Sequence, residues 1–296
     1  MKKMKKSLDE LSFYFIGYPM LLVFGLLCVL PFWMIVVGSI TSEDYISRHG
    51  YSFFPVEFST DSFEYIMTDA TGIIRAYGVT ILVTVVGTLI AVFMNSMTAF
   101  VLQRKDFKYR NFFSFYFFFT TLFSGGLVPW YILLTKYLQL KESLPALILP
   151  GLISVWNILV IKGFLRSIPD AITESAHIDG AGDFRIFVQI ILPLSKPVVA
   201  TISLFTALYY WNDWYNSMLF ITNDKLFMLQ FYLYKLIGSA QGLQVAAEKA
   251  GVYIENPPIQ STKMAMTLIV IGPIMFLYPF VQKYFVKGLT IGAVKG

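Results

Sequence analysis

Long apolar segments dominate this sequence and restrict what it can fold into. A helix needs ~20 mostly apolar residues to cross a lipid bilayer. Six segments qualify, at about residues 13–40, 73–102, 112–134, 144–164, 198–221 and 264–286. Only 14% of the residues are charged, whereas a soluble globular protein carries roughly 25%, so the chain lacks the charge to cover a water-facing surface. We therefore predict an all-α polytopic membrane protein with six transmembrane helices.

The distribution of lysine and arginine predicts how these spans are oriented. Basic residues are enriched in the cytoplasmic loops of membrane proteins. Fifteen of them fall in or near the N-terminal segment 1–12, the loop after the second span, the loop 165–197 and the tail 287–296, against eight on the other side. We expect these segments, and therefore both termini, to be cytoplasmic, with a six-span transmembrane domain at 13–286 between them.

The loop 165–197 is too long to be structureless in a compact protein. It reads as two short helices. The first is expected to end near Ile178, because Gly180 can adopt the positive φ of a helix C-cap. The second is expected to span Phe184–Leu192, with Asp183 as its N-cap and with Pro193 and Pro197 ending it. The prediction is a rigid cytoplasmic projection.

The sequence carries no recognisable catalytic or metal-binding constellation. No Gly-x-x-x-x-Gly-Lys-Ser/Thr stretch is present to cradle phosphates. His49, His177 and Cys28 are the only histidines and cysteine, too few for a His- or Cys-based site, and Cys28 is expected to be a small core residue. The bases form short clusters between apolar runs, so no nucleic-acid partner is expected. We predict that the chain is not an enzyme and has no metal or cofactor of its own.

Polar and aromatic side chains inside the spans are the candidates for a substrate path. An intramembrane carboxylate is expensive and usually faces a cavity or a partner, which singles out Asp213. Aromatic rings stack on the apolar faces of sugars, and amides and carboxylates bond their hydroxyl groups. The candidates are Trp211, Asn212, Asp213, Trp214, Asn216, Trp130, Tyr131, Trp156 and Asn157. The alternative is an interfacial aromatic belt, with Asp213 reaching towards water.

The stretch from Glu174 to Pro193 carries the most specific pattern in the chain. Its order is Glu, two small residues, three others, Gly, a nine-residue gap, Ile, one other residue and Leu-Pro. This pattern resembles the loop by which importer permeases of the ATP-binding-cassette (ABC) superfamily engage their ATPase subunits. Ser175 departs from the family, which usually has a second alanine there. The resemblance implies an ATPase-coupling role for Glu174, Ser175, Ala176, His177, Asp179, Gly180, Gly182, Leu192 and Pro193.

Nearly the whole chain resembles the permease subunits of binding-protein-dependent carbohydrate ABC importers, the family of the maltose permease, in a branch found in Gram-positive oligosaccharide systems. The turn Arg104-Lys105-Asp106-Phe107 and the stretch Trp211-Asn212-Asp213-Trp214 belong to this likeness. The resemblance implies a type I ABC importer permease fold in a bacterial cytoplasmic membrane. The implied partners are a second permease subunit in a heterodimer, two copies of a cytoplasmic ATPase that holds ATP and Mg²⁺, and an extracytoplasmic sugar-binding protein. The implied substrate is a sugar or oligosaccharide.

Two other functions remain open on the sequence. Permeases for peptides or amino acids also carry the coupling loop, and only the Trp211-Asn212 stretch and the overall likeness favour a sugar. An ion-coupled secondary transporter belongs to a different class; it would be expected to have inverted repeats and several intramembrane ionisable groups. Apart from Asp213 the spans hold almost none.

Overall fold

The structure, a computed structural model of the chain, describes residues 8–250 and 257–275. Three regions discussed above fall wholly or partly outside the described residues: most of the N-terminal segment 1–12, the second part of the sixth predicted span, and the tail 287–296.

The described chain is built from helices. The α-helices are α1 (Leu8–Ser39), α2 (Glu43–His49), α3 (Asp61–Met67), α4 (Ala70–Gln103), α5 (Arg110–Leu122), α6 (Leu127–Ile132), α7 (Leu144–Ile148), α8 (Val155–Leu165), α9 (Asp170–Ile178), α10 (Asp183–Ile186), α11 (Leu192–Leu194), α12 (Lys196–Trp211), α13 (Tyr215–Phe220), α14 (Leu229–Ala250) and α15 (Ile259–Met275). Leu133–Tyr137 and Phe187–Ile191 form π-helical turns, and Leu149–Gly151 and Asp224–Leu226 form 3₁₀ turns. Within the described residues, β pairing is limited to one isolated antiparallel bridge between Thr41 and Phe58. The all-α prediction is confirmed.

Two helices are long and apolar enough to cross a membrane without a break. They are α1, over Phe13–Ser39, and α4, over Ala70–Gln103, and they cover the first and second predicted spans. α15 begins at Ile259 and covers the start of the sixth predicted span. The polytopic membrane architecture is therefore confirmed.

Three further candidate spans are bent pairs of helices. The bends are 115° between Arg110–Leu122 and Leu127–Tyr137, 47° between Leu144–Gly151 and Val155–Leu165, and 86° between Asp183–Leu194 and Lys196–Trp211. At the first bend Gly126 has a φ of 83°, a conformation that glycine adopts at little cost. With each bent pair counted as one span, the described residues hold up to five candidate spans.

The fifth predicted span, 198–221, is interrupted near its end. Its helix stops at Trp211 and a new helix starts at Tyr215. Between them the Asp213 carboxylate accepts hydrogen bonds from the Asn216 backbone N–H at 3.0 Å and from the Asn216 amide Nδ2 at 2.8 Å. A short polar side chain that bonds nearby backbone offers an alternative to the helical hydrogen-bond ladder, which explains the break.

The described residues fall into two compact units. The first contains residues up to Ala70 together with Leu236–Gly272. In this unit the Glu43 carboxylate accepts hydrogen bonds from the backbone N–H groups of Gln260 and Ser261, each at 2.9 Å. These donors lie in the first turn of α15, where a negative charge offsets the unpaired N–H groups and the helix dipole. Glu43 thus fastens α2 to the start of α15.

Helix α1, in the same unit, exposes nearly all of its side chains from Phe13 to Leu30. Cys28 lies on this exposed stretch, so its expected place in the core was wrong. The reason is that α1 contributes few buried residues to this chain and presents an apolar surface, as a lipid-facing helix does.

The second unit, which among the described residues comprises Thr71–Lys235 and 273–275, contains two hydrophobic clusters. One includes Phe100, Phe187 and Ile202, so it joins the end of α4 to the π-helical turn after α10 and to α12. The other surrounds Tyr210 near the opposite end of α12. The first cluster therefore ties the loop 165–197 to the spanning helices.

Tyr210 is fully buried and fills a gap that two glycines leave open. Its hydroxyl donates to the carbonyl of Ile148 at 2.7 Å. A Cβ atom at Gly87 would lie 2.7 Å from the Tyr210 ring, and one at Gly151 would lie 2.8 Å from it. Both separations are below van der Waals contact, so only glycine lets α4 and the 3₁₀ turn after α7 approach this ring.

Replacing Gly87 by alanine should destabilise the protein. The new methyl group would have to displace a buried aromatic ring, and overpacking of this kind costs about 1–3 kcal/mol. Gly78 is a matched control, because it lies on the same helix with open space around it. Gly78→Ala should be neutral or stabilising by up to about 1 kcal/mol, since alanine is the better helix former. Thermal unfolding of the purified protein followed by tryptophan fluorescence tests this; equal melting temperatures for the two variants would contradict it.

Candidate functional site

The loop 165–197 folds as a helix, a glycine turn and a second helix. α9 ends at Ile178, and Gly180 follows with a φ of 80°. The Gly180 N–H donates to the carbonyl of His177 at 3.0 Å, and the Ala181 N–H donates to the carbonyl of Ala176 at 2.9 Å. These bonds satisfy the last carbonyls of α9 in the manner of a glycine C-cap. The chain then enters α10 at Asp183, and we call the segment from α9 to α11 the projection.

Pro193 does not end the second helix, contrary to the sequence prediction. α10 continues through the π-helical turn Phe187–Ile191 into α11, which contains Pro193 in its first turn. Proline lacks the N–H that would bond a carbonyl of the preceding turn, and here that preceding turn is π-helical. The chain turns at Ser195 before α12 begins.

The motif residues divide between the core and the surface. Ala176 is buried and belongs to the same cluster as Phe187, while Leu192 packs against that cluster. The exposed members are Glu174, Ser175, His177, Asp179, Gly180, Gly182 and Pro193. The small side chain of Ala176 thus lets α9 pack closely on this chain's own core, and the polar members face outward.

Ile178, at the end of α9, is 86% exposed. Sequence reasoning placed no role on it, because it lies at a variable position of the motif. An isoleucine this exposed, beside a glycine turn and at the tip of a projection, offers an apolar contact to a partner. The sequence places Ile178 three residues after Ser175 and two before Gly180. Its exposure could be recognised only once the structure showed which face of α9 packs on the core.

Arg104, just after α4, fastens the projection to the spanning helices. Its guanidinium Nε donates to Asp106 Oδ1 at 2.8 Å, its second NH group also bonds Asp106, and its remaining NH group bonds Asp183 at the start of α10. The ring of Phe100 lies 5.8 Å from the guanidinium carbon. All three guanidinium nitrogens are therefore engaged, and one of them reaches across to the projection.

Two further contacts support this link. Lys105 Nζ lies 2.5 Å from Asp170 Oδ2 in the first turn of α9, and His177 Nε2 lies 3.3 Å from Asp183 Oδ1. A cavity of about 300 Å³ lies between the α4–α5 loop and α9, and Glu174 is among the residues that line it. The predicted coupling residues Glu174 and His177 therefore lie beside the basic turn after α4.

The electrostatics follow from these bonds. Hydrogen bonding from Arg104 lowers the pKa of the Asp106 carboxyl, and the bond to Asp106 raises the pKa of Arg104. The hydrogen bond to Asp170 likewise raises the pKa of Lys105, and the charge of Glu174 adds to this. The pKa shifts of Arg104, Lys105 and Asp106 all favour their charged forms, so these three groups support the link near neutral pH.

Asp213 and Asn216, both predicted to lie on a substrate path, bond each other in the break between α12 and α13, and both are buried. The carboxylate of Asp213 is occupied by the backbone and side chain of Asn216. It closes the break in the span, and Asp213 is not among the residues that line the four cavities described here.

The side chains of Trp211, Asn212 and Trp214, next to Asp213 in the sequence, contact different parts of the structure. Trp211 is buried and its ring lies 6.3 Å from that of Tyr77. Asn212 is exposed and accepts from Gln230 at 3.2 Å. Trp214 is half-exposed with its ring 5.6 Å from that of Tyr234. The structure does not gather these side chains around one space.

Trp130 and Tyr131 also separate. Trp130 lines an open cavity of about 520 Å³ together with Tyr215 and the glycine pair Gly125-Gly126. Tyr131 stacks on Phe220 at 5.8 Å within the second hydrophobic cluster. Only Trp130 of this pair faces a space that a ligand could enter.

Trp156 and Asn157 line a cavity of about 310 Å³ between α8 and α12. Trp156 is 56% exposed, and its ring packs edge-on against Phe205. Asn157 Nδ2 donates to Thr206 Oγ1 at 3.2 Å on the cavity wall. The ring of Tyr209, one turn further along α12, completes this wall. Aromatic rings beside hydroxyl and amide groups can stack on a sugar face and bond its hydroxyl groups.

Phe205, Thr206 and Tyr209 were not singled out from the sequence. Their i, i+1 and i+4 spacing on a predicted helix was the available signal, because it places an aromatic pair and a hydroxyl group on one helix face. The residues that combine aromatic and polar groups around one cavity are therefore these three with Trp156 and Asn157. Among the described residues, no group of three His, Cys, Asp or Glu side chains could hold a metal ion.

Broken spanning helices around a polar and aromatic cavity, joined to a helix–glycine turn–helix projection, define a membrane permease. Residues 87–291 match the family described as binding-protein-dependent transport system inner membrane component. This chain belongs to that family.

Its relatives include several transport permeases. It is 39% identical over 280 residues to the polygalacturonan/rhamnogalacturonan transport system permease protein YtcP of Bacillus subtilis, covering 94% of this chain and 96% of the relative. It is 27% identical over 274 residues to the arabinooligosaccharides transport system permease protein AraQ of Halalkalibacterium halodurans, covering 91% and 92%. A solved bacterial ABC transporter involved in the import of the acidic polysaccharide alginate is similar with a TM-score of 0.79 and 26% identity, covering 96% of this chain and 100% of that chain.

The link through Arg104 predicts a local effect of mutation on the projection. Asp183→Asn removes the charge that Arg104 and His177 share, so α9 and α10 should open more often. Amide hydrogen exchange in residues 170–186 should rise, while global stability changes by less than about 1 kcal/mol, as expected for a partly exposed ion pair.

Asp179→Asn is the matched control, since it removes an exposed carboxylate of the same projection outside the described ion pairs. It should leave exchange in 170–186 unchanged. Equal exchange in both variants and the wild type would show that the Arg104 link does not hold the projection.

Proposed function

We propose that this chain forms one half of the translocation path of an ATP-driven, binding-protein-dependent importer for an oligosaccharide. The observation that carries the proposal is the projection: a short helix capped by Gly180 with Glu174 and Ile178 exposed, fastened to the spanning helices through Arg104. A rigid body of this kind can transmit the movement of a partner to the helices on which it is mounted.

The proposed partners follow from the family and the resemblance. A second permease subunit would complete the path as a heterodimer, and two copies of a cytoplasmic ATPase would hold ATP and Mg²⁺ and hydrolyse the nucleotide. An extracytoplasmic sugar-binding protein would deliver the substrate. Both termini and the projection would lie on the cytoplasmic side of the bacterial membrane, where the ATPase can reach them, in agreement with the excess of lysine and arginine in those segments.

The proposed mechanism is alternating access. Closure of the ATPase subunits on ATP would push the projection, and the cluster around Phe187 would pass the displacement to α4, α8 and α12. The Arg104 link would keep the α4–α5 loop moving with α9. The spans would then face outward, receive the sugar from its binding protein, and return after hydrolysis on the partner.

The substrate class is supported by two observations. The relatives named above transport polygalacturonan, rhamnogalacturonan, arabinooligosaccharides and alginate. The cavity lined by Trp156, Asn157 and Tyr209 offers ring faces and polar groups of the kind that bind saccharides. Fragments of polygalacturonan and alginate are therefore the first compounds to test, with neutral arabinooligosaccharides beside them.

Uptake by the reconstituted transporter tests the proposal. In vesicles that contain ATP, Glu174→Ala should lower oligosaccharide uptake about tenfold or more, because loss of one charge-assisted hydrogen bond costs about 1.5 kcal/mol or more. Gly180→Pro should abolish uptake, since proline cannot adopt a positive φ. Ser175→Ala, which installs the residue usual in the family, should have no effect.

Uptake driven by an ion gradient without ATP, and unchanged in both Glu174→Ala and Gly180→Pro, would instead identify a secondary transporter. ATP-dependent uptake of peptides but of no saccharide in the panel would retain the coupling role and overturn the proposed substrate class.

The exposed tip of the projection gives a second test. Ile178→Asp should weaken association with the ATPase, because burial of an isoleucine side chain contributes about 1.5–3 kcal/mol, equivalent to roughly ten- to a hundredfold in affinity. Ile178→Leu should retain association. Copurification of the ATPase at graded dilution measures the effect; an unchanged ATPase yield with Ile178→Asp would exclude this residue from the interface.

A further inference from the structure

A fourth cavity, of about 450 Å³, lies between the α4–α5 loop, the end of α8 and the start of α9. Its lining carries four cations, Lys105, Arg110, Lys162 and Arg166, and one carboxylate, Asp170. We call this space the basic cavity. Lys105 belongs to the turn Arg104-Lys105-Asp106-Phe107 named above, but the other three cations were not singled out by the sequence motifs. Apart from the link between Lys105 and Asp170, the basic cavity takes no part in the coupling described above.

Three of the four cations have no carboxylate partner. Asp170 is paired with Lys105 at 2.5 Å. Lys162 Nζ donates to the neutral hydroxyl of Ser114 at 2.7 Å, and within the described residues no carboxylate lies within 4 Å of Arg110 or Arg166. Arg110, Lys162 and Arg166 line the same cavity. Like charges held together around one space repel each other, and an anion bound between them would offset that repulsion.

The backbone adds to the positive potential. Arg110 is the first residue of the thirteen-residue helix α5, where the helix dipole contributes a positive partial charge. A cation at this end of a helix is unfavourable unless an anion lies close by. Arg110 and its neighbour Asn111 both line the basic cavity, so an anion there would face the helix end as well as the side chains.

The position of the basic cavity indicates which kind of molecule would supply the anion. Its lining residues come from the end of α4 and the loop after it, the start of α5, the end of α8 and the start of α9. The chain enters or leaves three spanning segments here, so the cavity lies at one surface of the membrane. Beside it the α5 surface is apolar and exposed, with Tyr109 57% and Phe112 63% accessible. A phospholipid at the membrane surface has a phosphate that basic residues can bind and an acyl chain that an apolar helix surface can contact.

We propose that the basic cavity binds the phosphate group of an anionic phospholipid, such as phosphatidylglycerol. Arg110 and Arg166 bond the phosphate oxygens, Lys162 contributes charge, and the exposed aromatic face of α5 contacts the acyl chain. The lipid thereby fills the space between the α4–α5 loop and the start of α9. The leaflet follows from the orientation given under the proposed function, and on that orientation the lipid lies in the cytoplasmic leaflet.

The test uses the assembled transporter in nanodiscs of phosphatidylcholine mixed with phosphatidylglycerol. Native mass spectrometry after release from the nanodisc measures how much phosphatidylglycerol stays bound. The wild type should retain it in preference to phosphatidylcholine. Arg110→Gln and Arg166→Gln should each weaken retention about five-fold, the effect of one basic residue at an anionic membrane surface.

Lys108→Gln is the matched control. It removes one positive charge two residues from Arg110, but Lys108 lies over the ring of Tyr109 and does not line the basic cavity. Retention should be unchanged. Arg110→Lys should also retain the lipid, and it keeps the proposal testable where Arg110→Gln fails to assemble.

Three results would overturn the proposal. Equal loss of lipid with Lys108→Gln and Arg110→Gln would mean general surface attraction. Displacement of phosphatidylglycerol by inorganic phosphate would identify a site for a soluble anion. Unchanged lipid with Arg110→Gln, together with loss of the ATPase, would assign the basic cavity to the ATPase interface. Lipid retention is read without sugar, ATP or hydrolysis, so its failure is distinct from failure of the importer function.

Discussion

Satisfaction of backbone hydrogen bonds inside the bilayer determines most of this structure. A backbone N–H or C=O group without a partner in lipid costs several kcal/mol, and three of the candidate spans are bent. At the 47° bend between Leu144–Gly151 and Val155–Leu165, buried polar side chains bond the freed backbone groups. Asn95 donates to the carbonyl of Leu152 at 2.9 Å and accepts from the N–H of Ser154 at 3.0 Å. Tyr210 does the same for Ile148, and the cavity beside Trp156 forms where α8 restarts after this repaired break.

The same constraint explains which sequence predictions could succeed. Long apolar runs predict spanning helices because a bilayer requires them, and α1 and α4 match their segments closely. The breaks near Gly126 and Asn212 fall inside segments whose average apolarity is still high enough for one span, so average apolarity does not predict them. Asp213 was selected because a carboxylate in a span is expensive. That expense is real, but it is offset by bonds to Asn216, which hydropathy does not reveal.

The coupling region was predictable to the extent that its determinants are local. Gly180 and the length of the loop sufficed for a helix, a turn and a second helix, because a positive φ is a property of one residue. Arg104 and Asp183 are 79 residues apart, and no local pattern predicts such a pair. The exposure of Ile178 and the burial of Ala176 likewise depend on which face of α9 packs on the core.

The 86° bend at Ser195 sets the segment Asp183–Leu194 nearly at a right angle to α12. A displacement of the segment Asp183–Leu194 along its own axis is almost perpendicular to α12. A force along the axis of Asp183–Leu194 therefore acts on α12 from the side. Such a force tilts α12 and does not move it along its own axis. Because α12 carries Phe205 and Tyr209, tilting it changes the width of the cavity between α8 and α12, whereas sliding would only shift its wall.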